Sequence, residues 1–305
     1  MAQSVPAPMT PKRAPSSPVV EEVELAAGDV RLSGLLALPP GQEPRAVIVA
    51  LHGGGMGAGY FHGQADPSTS LLSLAAAAGY AALALDRPGY GVSADRLPQG
   101  MPLAEQAVRV RAALRTYAVE RARGASFFLV GHSFGGTLAL TTVATAEPED
   151  RLLGVDVSGV GERWALSPAQ RAAVGHRHDH RLHWGPLALY PPGTFRLAQD
   201  LVGPVPPREI EEIHHWPRRY AALAPRIRVP VRFTFAEHER FWACDPASVR
   251  DLTAPLASPL VCTDRLTGAG HNISLGYAAR RYHLRVLSFL EECRAHASRT
   301  APRSL

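Results

Sequence analysis

Between residues 126 and 146 the chain passes from the apolar run Phe127-Phe128-Leu129-Val130 through Gly131-His132-Ser133-Phe134-Gly135-Gly136 into a stretch rich in small residues. The apolar run reads as a buried strand and the following stretch as a helix, so the turn between them must be sharp. A serine hydroxyl is a weak nucleophile and has to stand clear of the fold where a base can reach it. Small residues on either side keep such a turn free of clashes. The helix that follows aims its N-terminal amides at the same point, where they favour negative charge. A chance Gly-x-Ser-x-Gly in an ordinary strand-to-helix turn looks the same locally, so partners elsewhere in the chain must decide between the two.

The rest of the sequence reads as strands alternating with helices, the rhythm of a mostly parallel sheet covered on both faces. Val23 to Leu25 and Val30 to Leu38 form an opening hairpin around Gly28-Asp29. Ala46 to Leu51, Tyr80 to Leu85, Ser126 to Val130, Leu152 to Val157, Val231 to Phe235 and Leu260 to Leu266 read as strands. Ser68 to Ala78, Leu103 to Ala122, Phe134 to Ala146 and Ser274 to His296 read as helices. From about Gly161 to Arg226 the alternation is lost and His, Arg, Trp and Pro accumulate, as expected of a lid inserted between strands. The expected organisation is a disordered Pro-rich leader (residues 1–18), a core (19–160 and 227–298), the cap (161–226) and a flexible tail (299–305).

Three further segments supply partners for Ser133. Leu51-His52-Gly53-Gly54-Gly55-Met56 follows the first central strand, where glycines let backbone amides approach a substrate. Gly54 is the expected oxyanion donor, with Gly55 and Met56 as alternatives, and Phe134 supplies the second amide. Gly270-His271 follows the last strand, which makes His271 the candidate base. For the acid that orients it, Phe233-Thr234-Phe235-Ala236-Glu237-His238-Glu239 ends the preceding strand. Glu239, three residues past the small Ala236, is the leading candidate; Glu237, Asp245 and Glu162 stay eligible.

Other features narrow the field. The 32 basic and 27 acidic residues leave a net charge of +5, spread along the chain, so no nucleic-acid stripe is expected. No apolar run is long enough to span a bilayer. Cys244, Cys262 and Cys293 are odd in number and widely spaced, which fits a reducing, cytoplasmic setting. His176, His178, Asp179, His180 and His183 crowd one stretch of the insertion, and His214-His215 follow. His176 and His180 would share a helix face as metal ligands, but with no acidic or cysteine partner at ligand spacing a solvated cluster is the expectation. Trp164, Trp184, Tyr190, Phe195 and Trp216 either line a pocket or pack the insertion.

With these residues placed, the chain resembles the α/β-hydrolase superfamily from about Val20 to His296. The resemblance is carried by His52-Gly53-Gly54-Gly55, Asp86-Arg87-Pro88-Gly89-Tyr90-Gly91-Val92-Ser93, Gly131-His132-Ser133-Phe134-Gly135-Gly136 and Gly270-His271. It implies an eight-stranded, mostly parallel sheet, a cap after the sixth strand, and a triad of Ser133, Glu239 and His271. The triple glycine and the Asp-Arg-Pro-Gly-Tyr-Gly loop also resemble those of meta-cleavage-product C–C hydrolases. Two positions depart from the usual pattern: glutamate where aspartate is commoner for the acid, and Ala236 where glycine is expected. The expected activity is serine-dependent hydrolysis of an ester or thioester of a small, fairly apolar acyl group, with no metal or organic cofactor and a small molecule as partner. C–C bond hydrolysis, acyl transfer or cyclisation, and a catalytically silent binding protein are the alternatives.

Overall fold

The computed structural model describes residues 18–172, 174 and 180–300. All but the last residue of the expected leader, the tail beyond residue 300, and His176, His178 and Asp179 lie outside the described residues.

Strands β1 (Val20–Ala27), β2 (Val30–Ala37), β3 (Val47–Leu51), β4 (Ala81–Leu85), β5 (Phe127–His132), β6 (Leu152–Ser158), β7 (Val231–His238) and β8 (Val261–Gly270) form one sheet. Their order is β1-β2-β4-β3-β5-β6-β7-β8. Strand β2 runs against both of its neighbours, and the pairs from β4 through β3 to β8 are parallel. Strands β3, β4 and β5 are buried along their whole length, which explains why their sequences are apolar runs without alternation.

Helices are α1 (Leu71–Ala77), α2 (Leu103–Glu120), α3 (Phe134–Ala144), α4 (Pro168–Ala172), α5 (His180–His183), α6 (Thr194–Leu197), α7 (Pro207–Leu223), α8 (Pro246–Thr253) and α9 (Ala279–Thr300). The period-2 geometry of β3 divides the core between the two faces of the sheet. Val47, Val49 and Leu51 point into a cluster with α2 and α3, while Ile48 and Ala50 point into one with α1 and α9. Two details differ from the sequence reading. The last helix begins at Ala279, because Ile273–Leu275 make a separate short turn and Gly276 is extended behind it. Helix α8 was not anticipated, although Asp245-Pro246 is a helix start: the Asp245 carboxylate accepts from Ala247 and Ser248 N–H, and proline occupies the first helical position.

Between β6 and β7 the chain forms α4 to α7. On α7, Glu209, Glu212, Trp216 and Tyr220 are buried at helical spacing. Trp216 Nε1 donates to Gly161 O at 2.9 Å and Tyr220 Oη donates to Leu252 O, which ties this helix to the core. No helix among the described residues is long and apolar enough to cross a membrane.

Candidate active site

The carboxyl ends of β3, β5, β7 and β8 converge on one point, the edge where open α/β sheets gather their sites. Ser133 directly follows β5 and precedes α3 with φ +52° and ψ −121°, a conformation rarely tolerated by a side-chain-bearing residue. Close packing explains its glycine neighbours. A Cβ on Gly131 would meet Gly135 O and Gly136 Cα at 2.5 Å, and one on Gly135 would meet Leu51 O at 2.1 Å. Ser133 N–H donates to Ser158 O at 2.8 Å, and Ser133 O accepts from Gly136 and Thr137, so the strained turn is held from both sides.

His271, at the end of β8, is 3 % exposed. Its Nε2 lies 3.1 Å from Ser133 Oγ and its Nδ1 lies 2.8 Å from Glu239 Oε2. The other carboxylate oxygen of Glu239 accepts from Arg240 and Phe241 N–H at 3.0 and 2.9 Å. Burial by itself would raise the Glu239 pKa, but the charge of His271 and these hydrogen bonds outweigh it, and the carboxyl sits below its ordinary value. The other eligible acids lie elsewhere. Glu237 is exposed and accepts from Gly268 N–H at 2.7 Å, Asp245 caps α8, and Glu162 neighbours Asp251, with burial and that carboxylate raising its pKa.

The glycine loop after β3 is held by hydrogen bonds to its backbone. Gly53 O accepts from His52 Nδ1–H at 2.8 Å and from Arg87 Nη2 at 3.1 Å, and His52 O accepts from Arg87 Nε at 2.7 Å. His52 Nε2 accepts from Arg87 N–H, so Nδ1 carries the proton. Gly55 N–H donates to Tyr90 Oη at 2.9 Å, which leaves it unavailable to a substrate. In a trans peptide the carbonyl and the next N–H point opposite ways, so the anchored Gly53 carbonyl turns the Gly54 N–H away from Arg87. Gly54 and Phe134 both line the cavity beside Ser133.

That cavity measures about 510 Å³, within the range of small-molecule sites. Its floor is Gly53 to Met56, His132 to Phe134, His271 and Asn272; its walls include Trp164, Trp184, Phe195, Val202, Val205, Ile210 and Ile213 from the insertion, with Phe241 and Trp242. No lysine or arginine is among the described residues that line it, and the Glu209 carboxylate at its edge is bound by Arg87. The aromatic residues of the insertion divide by role: Trp164, Trp184 and Phe195 face the cavity, while Tyr190 and Trp216 are buried in the packing behind it. His183 lines the cavity, with its ring centroid 4.9 Å from that of Phe241; His214 sits beside Trp164, and the His215 ring bonds to Glu211 O. Among the described residues no three metal-ligating side chains cluster.

Sequence reasoning gave no role to His132, Arg87, Tyr90 or Glu209. His132 is stacked on Tyr60 and lies against His271, with ring centroids 4.7 and 4.9 Å away. Burial first, and then the His271 charge, push its pKa well below the ordinary value, so it stays neutral next to His271. Arg87 and Tyr90 stand in the turn-rich motif after β4, which was their available signal. Glu209 carried none.

A model of the alpha/beta hydrolase family matches residues 48–297. This chain belongs to the alpha/beta hydrolase family. Among curated proteins it is similar to RutD of Cronobacter sakazakii, named provisionally as a carbamate hydrolase. The two are 30% identical over 236 residues, spanning 68% of this chain and 78% of that protein. Solved alpha/beta hydrolase structures share the fold at lower identity. A soluble variant of the monoglyceride lipase of Saccharomyces cerevisiae superposes with a TM-score of 0.67 at 15% identity, covering 94% of this chain and 99% of that one. A thermophilic esterase from Thermogutta terrifontis gives 0.59 at 15% identity, covering 90% and 99%. The chain is therefore a hydrolase of this family.

Proposed function

We propose that the protein is a serine esterase or thioesterase acting on a small, uncharged and fairly apolar acyl substrate through an acyl-enzyme. The observation that carries this reading is the continuous relay from Ser133 Oγ through His271 to a buried, doubly amide-bound Glu239. His271 Nε2 takes the hydroxyl proton as Ser133 Oγ attacks the carbonyl carbon, and Glu239 holds the ring in the tautomer that leaves Nε2 free to do so. The carbonyl electrons move onto oxygen, where the Gly54 and Phe134 amides receive the negative charge. His271 then returns the proton to the departing alcohol or thiol. Water repeats the sequence on the acyl-enzyme and releases the acid.

The aromatic and aliphatic walls, with no lysine or arginine among the described lining residues, favour a neutral acyl chain over a carboxylate- or phosphate-bearing one. The insertion acts in this reading as a cap that supplies those walls. The free cysteines fit a reducing compartment such as the cytoplasm. Similarity to RutD favours a second electrophile, a carbamate, whose carbonyl would meet the same serine.

The test is a panel of p-nitrophenyl esters, acyl thioesters and carbamates, run on the wild type and on Ser133→Ala. The expected result is turnover of short neutral esters that disappears in the variant. Retained turnover in Ser133→Ala would exclude the covalent route, and turnover of carbamates alone would replace the ester reading.

A further inference from the structure

Glu209 stands on α7, inside the insertion, yet its carboxylate ends in the scaffold beneath the glycine loop. It forms a forked ion pair with Arg87, with Nη2 to Oε2 at 3.0 Å, and both side chains are fully buried. Tyr90 Oη donates to Glu209 Oε2 at 2.8 Å while accepting from Gly55 N–H at 2.9 Å. Gln106 donates to Met101 O and accepts from Arg87 Nη1 at 3.3 Å. The guanidinium also lies over the ring of Phe134, 4.8 Å from its centroid. The two amides proposed to receive the oxyanion thus belong to residues that meet the same group: Arg87 holds the peptide oxygen preceding Gly54 and packs on the side chain of Phe134.

From this geometry we infer that Glu209 is a positioning residue for the oxyanion hole, so that hydrolytic competence depends on α7 being seated on the core. The inference rests on the serine mechanism proposed above. Glu209 fixes Arg87 and Tyr90, and these fix the peptide planes on either side of Gly54: the Gly53 carbonyl toward Arg87, the Gly55 N–H toward Tyr90. The Gly54 N–H, opposite the Gly53 carbonyl in its peptide, is thereby held pointing away from Arg87, in a residue that lines the cavity. Without the carboxylate, a buried guanidinium loses its counter-charge and turns toward other acceptors or water, and the Gly53 carbonyl loses one of its two donors.

The experiment compares Glu209→Gln with the wild type on a short p-nitrophenyl ester. It also measures two inhibitors with the same alkyl chain: a trifluoromethyl ketone, which Ser133 converts to an oxyanion adduct, and the corresponding secondary alcohol, which forms none. The expected result is a fall in kcat of about 10- to 100-fold with KM within about threefold, smaller than the loss of a donor itself. Ketone affinity should fall in parallel with kcat while alcohol affinity holds. Unchanged kcat, or equal loss of both inhibitors, would overturn the inference and make Glu209 a structural or substrate-binding residue. Should Glu209→Gln fail to fold, Tyr90→Phe removes only the hydroxyl that links Glu209 to Gly55. It should lower kcat and ketone affinity together by about three- to tenfold, and an unaltered ratio of ketone to alcohol affinity would overturn the inference equally. Ser133→Ala separates the two readings. Activity surviving there defeats the serine mechanism, whereas an inactive Ser133→Ala beside a fully active Glu209→Gln defeats only the coupling.

Discussion

The relay and the cavity walls are built from different kinds of chain. Ser133, Glu239 and His271 each follow a strand of one hydrogen-bonded sheet, so their spacing is set by strand pairing and core packing. The walls come largely from helices and turns between β6 and β7, where among the described residues no strand ladder sets the register. A site assembled this way can keep its chemistry while its substrate preference changes, because the walls vary without disturbing the strands. Glu209 is the exception, a wall-side residue whose charge reaches the floor.

Breaking the relay should give the largest effect and should not depend on the substrate. Ser133→Ala and Glu239→Gln are each expected to lower kcat/KM by about 10⁴-fold for short and long esters alike, read from initial rates on variants with unaltered circular dichroism. A loss confined to long esters would place these residues in the wall class.

Acid should distinguish the two regions by stability. His52, His132 and His283 are buried beneath or beside the sheet, and burial lowers the pKa of each, that of His283 to about 4. The unfolded chain takes up protons at these histidines below about pH 6.5, and the folded chain does not, so stability falls with falling pH. For His283 the loss accumulates between about pH 6.5 and 4 and is on the order of 3 kcal/mol. Glu239 adds to the loss at lower pH, as its depressed carboxyl is protonated. Urea titrations at pH 7.5, 6 and 5 would show it; a stability flat across that range would contradict neutral burial.

Changing the wall should alter ratios rather than rates. Ile213→Trp fills part of the cavity and is expected to lower kcat/KM for an octanoyl ester by about tenfold relative to an acetyl ester, since a few buried methylenes carry that much binding energy. A ratio that does not move would show that the chain lies elsewhere. Glu237→Gln should have the smallest effect, within about twofold on every ester, because that carboxylate is exposed and bound to Gly268 rather than to the relay.

What the amino-acid sequence determined by itself is what local backbone constraints write into it. The turn at Ser133 needs glycines where Cβ atoms would strike neighbouring backbone, the central strands need apolar residues on both faces, and Gly270-His271 follows a strand end. These demands act within a few residues, so the mostly parallel sheet and the candidates Ser133, His271 and Gly54 were legible. Among the carboxylates, spacing past Ala236 ranked Glu239 first but left Glu237, Asp245 and Glu162 eligible, and only the tertiary structure puts one of them on His271. Glu237 and Glu239 stand two residues apart, and the irregularity between Ala236 and His238 at the end of β7 helps send one toward Gly268 and the other under His271. Nor could the pairing of Arg87 with Glu209 be read, since 122 residues separate them and no periodicity links a strand-end loop to a helix of the insertion. Contacts of that kind exist only once the chain has closed on itself: a buried charge must find its counter-charge wherever packing puts it.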